Sequence, residues 1–221
     1  MIYAENILIC IAAPLLLSLL FIHGKVRLYT VFFCIGMSIC LISGYISGFL
    51  SMIGVMEAEN TAVFISPVLE EIMKFLPLLF FYLLTDPDNE SLFLSSIAVG
   101  VGFATFENCC YILTSGAGRL SYILVRGLAT GVMHIVSILA LSLGIMLVIW
   151  LQALSFPAIA GLLSLSTTFH ALYNLLVSKP GMTSRIGYAL PVLTAAALYL
   201  PYKNLRRKLS GAGHVQPGVQ V

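Results

Sequence analysis

The chain alternates long apolar runs with short polar links, and this alternation predicts its secondary structure. A helix that crosses a membrane needs about 20 mostly apolar residues. Seven runs reach or approach that length: 7–22, 28–53, 61–84, 91–113, 121–150, 156–177 and 186–202. In lipid each span must satisfy its own backbone hydrogen bonds, as a helix does. The pattern therefore predicts an all-α fold, that of a polytopic integral membrane protein with about seven transmembrane helices.

Composition excludes a water-soluble fold. Hydrophobic residues make up 60% of the 221 residues and charged residues only 9%, whereas soluble domains carry roughly 25% charged residues. The length leaves no room for a separate soluble domain. Residues 1–221 are therefore expected to form one membrane-embedded domain, with a disordered basic tail at 203–221. The sequence has no basic patch interleaved with aromatic residues, so the expected partner is the lipid bilayer and not nucleic acid.

The placement of lysine and arginine predicts the orientation, because cytoplasmic links carry the excess of these residues. One side of a seven-span protein would hold Lys25, Arg27, Lys203, Arg206, Arg207 and Lys208. The other side would hold Arg119, Lys179 and Arg185. We therefore expect a multi-pass protein of the cell membrane with its C-terminus in the cytoplasm.

The third apolar run carries three ionisable residues, Glu70, Glu71 and Lys74. An ionisable residue inside a span is costly and by default indicates function. The two glutamates point about 100° apart on a helix, so one can face a cavity while the other pairs with Lys74. The alternative is structural. With Ser66 as the N-cap and Pro67 in the first turn, the helix dipole would stabilise both glutamates near the membrane surface.

Three later runs bring Glu107, His134 and His170 to a similar depth, in the outer half of the bilayer. Three further polar residues accompany them: Asn108, Arg126 and Asn174. Each has a structural interpretation, as an anchor for Lys74, a core histidine, a snorkelling arginine or a packing pair between helices. The convergence of four helices on one level favours function, because chance would scatter such residues.

Four motifs follow one another along the chain: Glu70-Glu71-x-x-Lys74, Phe103-x-x-x-Glu107-Asn108, His134, and His170-x-x-x-Asn174. Together they resemble the motifs of the PrsW family of intramembrane proteases, within the superfamily of the CAAX prenyl endopeptidases and bacteriocin-processing enzymes. The resemblance spans residues 66–174 and places the catalytic core at about 61–177. It implies a peptidase whose founding relatives make the first cut in membrane-anchored anti-sigma factors, so a membrane-anchored protein is the expected substrate. The CAAX branch has a histidine where this chain has Glu107.

Amide hydrolysis assigns roles to these residues. The reaction needs a base for water, a donor for the oxyanion and an acid for the leaving amine. We expect Glu70 to be the base and Glu71, paired with Lys74, to be its orienting partner. His170 and Asn174 would position water and stabilise the oxyanion. The remaining polar residues would complete or support the pocket: Glu107, His134, Asn108 and Arg126.

The sequence leaves the use of a metal open. Four residues could hold a zinc ion with one position left for water: Glu70, Glu107, His134 and His170. No short ligand motif such as HExxH is present. Lys74 and Asn174 also suit a carboxylate and an oxyanion better than they suit second-shell support of a metal. We therefore favour a glutamate-activated water with no required metal cofactor, and keep Zn²⁺ as the alternative.

A different class of function, transport, uses the same chemistry. Buried glutamate, lysine and histidine side chains at one level can form a proton relay or bind a cation. Against transport, the sequence shows no internal repeat of the kind found in many transporters. Purified protein incubated with a membrane-spanning peptide separates the two functions, because an enzyme makes new peptide termini and a transporter does not.

The orientation is testable with reporters fused to the C-terminus. We expect a reporter that works only in the cytoplasm to be active there, and one that works only outside the cytoplasm to be silent. The opposite pair of results would place the polar cluster in the cytoplasmic half of the membrane.

Overall fold

The fold was analysed in a computed structural model that describes residues 3–115, 120–150 and 156–212. These residues form seven long helices and no strand, which confirms the predicted all-α fold. The helices are α1 (Ala4–Ser18), α2 (Gly24–Met52), α3 (Ser66–Thr85), α4 (Asn89–Ser115), α5 (Leu120–Trp150), α6 (Phe156–Val177) and α7 (Met182–Ala212). Each predicted apolar run corresponds to one of them.

Four of these helices are long and apolar enough to cross a membrane, as judged over the described ranges. They are Gly24–Met52, Asn89–Thr114, Leu120–Leu147 and Phe156–Val177. Helix α1 has only 15 residues and is therefore about 22 Å long, shorter than the hydrocarbon core of about 30 Å. Helix α3 carries three ionisable residues in its first half, and these lower its apolar character. The protein is therefore a polytopic helical membrane protein.

The predicted third run differs from the structure at its start, and the predicted seventh run differs at its end. A short helix, Ala58–Asn60, and a π-helical turn, Thr61–Ile65, precede α3. Helix α7 continues to Ala212, so it includes residues 203–212 of the predicted basic tail. Lysine, arginine and leucine are good helix formers, and the first glycine of the tail is Gly211. Residues 213–221 of that prediction lie outside the described residues.

Helices α2 and α4 pack closely against each other, and glycines bring their backbones together. A Cβ atom on Gly36 would collide with the carbonyl oxygen of Val99, and one on Gly102 would collide with that of Phe33. Small residues at such crossings are how helices in membranes approach closely. Gly102 lies five residues before Glu107 on α4, so this crossing helps to place that carboxylate.

Candidate active site

Four helices bring the predicted polar residues into one cluster inside the bundle. Helix α3 supplies Glu70, Glu71 and Lys74, while α4 supplies Glu107. Helices α5 and α6 supply one histidine each, His134 and His170. The clustered residues come from the first half of α3, the second halves of α4 and α6, and the middle of α5.

A buried ion pair between Glu71 and Lys74 forms the centre of the cluster. Both side chains are fully buried, and Lys74 Nζ lies 2.5 Å from Glu71 Oε1. Removing two charges from water is costly unless further hydrogen bonds satisfy them. Here Ser166 Oγ donates to Glu71 Oε2 at 2.7 Å and Ser137 Oγ donates to Oε1 at 3.2 Å. Both oxygens of Glu71 are therefore occupied.

The sequence analysis did not find Ser137 and Ser166. A serine in an apolar run is often a small packing residue, so its presence alone carried no signal. A signal was nevertheless available from spacing: Ser137 is three residues after His134, and Ser166 is four residues before His170. Residues three or four apart share a helix face, so each serine lies on the face of a site histidine.

His170 is held in one tautomer by Glu71. Its Nδ1 lies 2.8 Å from Glu71 Oε1, and because a carboxylate can only accept, Nδ1 carries the proton and donates. The other ring nitrogen, Nε2, is then a lone-pair acceptor. It lies 3.7 Å from Glu70 Oε2, so two hydrogen-bond acceptors on different helices face each other.

His134 is held in the opposite tautomer. Lys74 Nζ, which can only donate, lies 3.2 Å from His134 Nδ1, so Nδ1 accepts. The proton therefore sits on Nε2, which donates to Glu107 Oε2 at 2.6 Å. The two imidazole rings meet edge to face with their centroids 5.0 Å apart. The ring of Phe103 lies against His134 at 4.7 Å and closes the apolar side of the cluster.

Glu70 is the carboxylate of the cluster that keeps an open oxygen. Its Oε2 atom is buried and has no hydrogen-bond partner within the described part of the chain. The side chain as a whole is 16% exposed and lines two cavities. One glutamate thus pairs with Lys74 and the other faces a cavity, as the 100° offset between neighbouring helix positions predicts.

Two cavities meet at this cluster. The larger, of about 760 Å³, is bordered by polar and charged side chains that include Glu59, Tyr111, Arg126, Tyr173, Asn174 and Lys179. The smaller, of about 320 Å³, lies among α1, α2 and α4. Glu70 and Glu107 are the two residues that line both cavities. The carboxylates therefore stand at the boundary between a polar and a more apolar space.

The three predicted supporting residues have partners of their own. Arg126 Nη1 donates to Asn108 Oδ1 at 3.1 Å, and Nη2 lies 3.7 Å from Glu107 Oε1. The guanidinium also stacks 3.3 Å from the ring centroid of Tyr111. Arg126 thus fixes the outer side of Glu107, beyond the plain snorkelling considered as an alternative.

Asn174 lies at the edge of the cluster, and its amide makes a hydrogen bond between helices, as in the structural alternative considered for it. Asn174 Nδ2 donates to the carbonyl oxygen of Ala62 at 3.1 Å. Ala62 belongs to the π-helical turn before α3, so Asn174 ties α6 to the start of the glutamate helix. The side chain still lines the larger cavity together with Glu70.

The residues present fit a metal ion. Single ligand atoms of Glu70, His134 and His170 all lie within 4.8 Å of one another, so modest side-chain shifts bring them to the 2.0–2.2 Å bonds of a zinc site. Two observations support the fit: the open Oε2 of Glu70, and His170, whose Nδ1–H donates to a carboxylate as in typical zinc sites. His134 could bind the ion through Nε2 if its hydrogen bond to Glu107 were broken. Glu107, which the sequence placed among the candidate ligands, lies outside this three-residue group.

Fold and site together define a polytopic membrane protein with a buried glutamate–histidine centre open to a polar cavity. Residues 24–200 match the sequence model of a protein family, which is described as PrsW family intramembrane metalloprotease. The chain therefore belongs to this family. The predicted resemblance is thereby confirmed, and the protein is a membrane-embedded peptidase. No curated protein and no solved structure matches the chain significantly. Helix α1 lies outside the matched residues.

Removing Lys74 tests the buried pair. Lys74→Met leaves the fully buried carboxylate of Glu71 without its cation, so we expect a loss of stability of about 3–5 kcal/mol. The measurement is the thermal midpoint of the purified protein in detergent. The double variant Lys74→Met/Glu71→Gln, which removes both charges, should recover a large part of the loss. Equal midpoints for the two variants would show that removing the charge of Glu71 does not compensate for the loss of Lys74.

Proposed function

We propose that the protein is an intramembrane endopeptidase that hydrolyses a peptide bond in a membrane-anchored protein, with Glu70 activating the water. The observation that carries this assignment is that Glu70 lines both cavities and that its buried Oε2 has no hydrogen-bond partner within the described part of the chain. Both carboxylate oxygens of Glu71 and the Oε2 atom of Glu107 already accept hydrogen bonds. Glu70 is thus the member of the cluster free to receive a proton.

We place the catalytic water between Glu70 and His170, where a small side-chain shift widens the 3.7 Å gap between Oε2 and Nε2. His170 Nε2 accepts one of its hydrogen bonds and Glu70 Oε2 accepts the other. As the water oxygen bonds to the scissile carbonyl carbon, its proton moves to Glu70. The protonated Glu70 then gives that proton to the leaving nitrogen as the carbon–nitrogen bond breaks. Water and one peptide bond are consumed, and one carboxyl and one amino terminus are formed.

The oxyanion is assigned to Asn174. An asparagine amide has two N–H donors, and the bond to Ala62 uses one of them. The second N–H is left for a substrate carbonyl in the larger cavity, which Asn174 lines. A donor fixed by a bond to the backbone is already oriented before the substrate arrives, and pre-orientation is what makes such donors effective.

The other charged residues act by positioning. Glu71 holds the tautomer of His170, and Lys74 with Glu107 holds that of His134. Arg126 holds Glu107 from the cavity side. A Zn²⁺ ion, when bound, would be held by Glu70, His134 and His170, and would lower the pKa of a coordinated water to about 7.

The substrate class follows from the expected orientation. With the C-terminus in the cytoplasm, the cluster lies in the outer half of the membrane, so a membrane-anchored substrate would be cut near its extracytoplasmic juxtamembrane region. A polar cavity bordered by Glu59, Arg126 and Lys179 suits a polar peptide segment at that level. An anti-sigma-factor-like protein has this form.

Transport of a proton or cation is the second candidate. The observation that favours it is that two cavities share Glu70 and Glu107, since ionisable residues between two spaces can relay protons. Proteoliposomes with a pH-sensitive dye inside distinguish the candidates. Proton flux that depends on Glu70, with no cleavage of a peptide, would support transport over hydrolysis.

Substituting Glu70 tests the proposed base. Glu70→Gln keeps the size of the side chain and removes its ability to take a proton, so we expect cleavage to fall by about 10²–10⁴-fold. The assay is the appearance of new peptide termini from a membrane-spanning peptide in detergent. Glu57→Gln is the matched control, because Glu57 is an exposed glutamate that is not among the lining residues of either cavity, and this variant should cleave as the wild type does. Normal cleavage by Glu70→Gln would remove the base and with it the mechanism.

Removing metal tests the chemistry of the water. Every step above uses a side chain of the protein, so we expect cleavage to persist after treatment with a strong chelator and proof by elemental analysis that zinc is gone. Chelated Glu70→Gln gives the background. Loss of activity that one equivalent of Zn²⁺ restores would instead make Glu70, His134 and His170 a ligand set.

A further inference from the structure

The smaller cavity is a second space at the catalytic carboxylates, and no role has been assigned to it above. Its walls come from α1, α2 and α4 and include Ala4, Cys40, Gly44, Tyr45, Phe106 and Cys110. Most of these side chains are small or apolar. Its volume of about 320 Å³ is at the lower end of the range of about 300–1,000 Å³ for ligand pockets. It can therefore hold a bulky apolar side chain, but not a folded segment.

The two cavities differ in chemistry on either side of Glu70. The larger is bordered by charged residues such as Glu59 and Lys179, while the smaller has no lysine or arginine among its described lining residues. A peptide whose scissile bond lies at Glu70 must extend to both sides of that carboxylate. A juxtamembrane peptide is itself polar on one side and apolar on the other, so its two flanks match the two cavities in chemistry.

We propose that the smaller cavity is the subsite for the apolar substrate residue next to the scissile bond on its membrane-embedded side. This proposal rests on the peptidase function proposed above. It makes the size of one side chain a determinant of specificity, because the cavity is bounded by packed helices. The polar flank of the substrate occupies the larger cavity.

Helix α1 forms the outer wall of this subsite. It packs on α2 and α4 through apolar residues such as Ile7, Leu8 and Ile11. Tyr45 Oη donates to Glu5 Oε2 at 2.6 Å and joins α2 to α1 beside the cavity. Since the family match covers residues 24–200, this wall comes from a part of the chain that the match does not include.

Filling the cavity tests the proposal. Gly44 lines the cavity and a Cβ atom there would meet nothing within 4 Å, so Gly44→Leu adds bulk at the cavity wall without a backbone clash. The probes are two synthetic peptides with a polar flank and a membrane-spanning segment, one with leucine and one with alanine at the membrane-side position of the cleaved bond. For Gly44→Leu we expect kcat/KM to fall about tenfold or more with the leucine peptide, chiefly through KM, and little with the alanine peptide.

The matched control is Gly48→Leu. Gly48 lies one turn further along α2, a Cβ atom there also meets nothing within 4 Å, and it is not among the cavity residues. This variant should treat both peptides as the wild type does. If Gly44→Leu and Gly48→Leu show the same ratio of kcat/KM for the two peptides, the subsite is refuted. If the wild type cleaves neither peptide, the failure belongs to the peptidase function.

Cross-linking tests occupancy of the subsite independently of catalysis. In the Glu70→Gln background, a peptide with one cysteine at the membrane-side position is treated with a short thiol-specific cross-linker. We expect a cross-linked product that is lost in Cys40→Ser/Cys110→Ser, which removes the two cavity cysteines. It should persist in Cys10→Ser/Cys109→Ser, which removes two cysteines that do not line the cavity. A product that survives loss of Cys40 and Cys110 would overturn the assignment, whatever the cleavage assay shows.

Discussion

The buried ion pair of Glu71 and Lys74 is the interaction on which the rest of the site depends. In a low-dielectric interior an unpaired charge is far more costly than a paired one, so each atom of this pair sets the position of its neighbours. Glu71 draws donors from α5 and α6, namely Ser137, Ser166 and His170. Lys74 reaches His134, which in turn holds Glu107. One pair on α3 therefore orients side chains on three other helices.

The larger features of the molecule were predictable because they depend on local chemistry. Long apolar runs require helices in lipid, and each predicted run is a helix. The different fates of Glu70 and Glu71 follow from the angular step of the helix alone. The family match then agrees with motifs that are readable from order and spacing. These predictions needed no knowledge of how the helices rotate against one another.

The features that could not be predicted depend on that rotation. A serine in an apolar run can face lipid, a neighbour or a charge, and only the turn of α5 and α6 points Ser137 and Ser166 at Glu71. The tautomers of the histidines depend on which partner each ring nitrogen meets. Asn174 was paired with His170 by spacing, but the π-helical turn before α3 offers it the carbonyl of Ala62, an acceptor that no sequence pattern reveals.

The unpaired Oε2 atom of Glu70 affects the net charge of the site. Lys74 offsets Glu71, Arg126 offsets Glu107, and the two histidines are neutral in the tautomers described. An ionised Glu70 therefore leaves the cluster with one uncompensated negative charge in a medium that solvates charge poorly. Taking a proton from water moves this negative charge from Glu70 to the oxyanion, so the first chemical step relocates a charge that the site already holds and does not create a new one. The same excess of charge would attract a cation to this position.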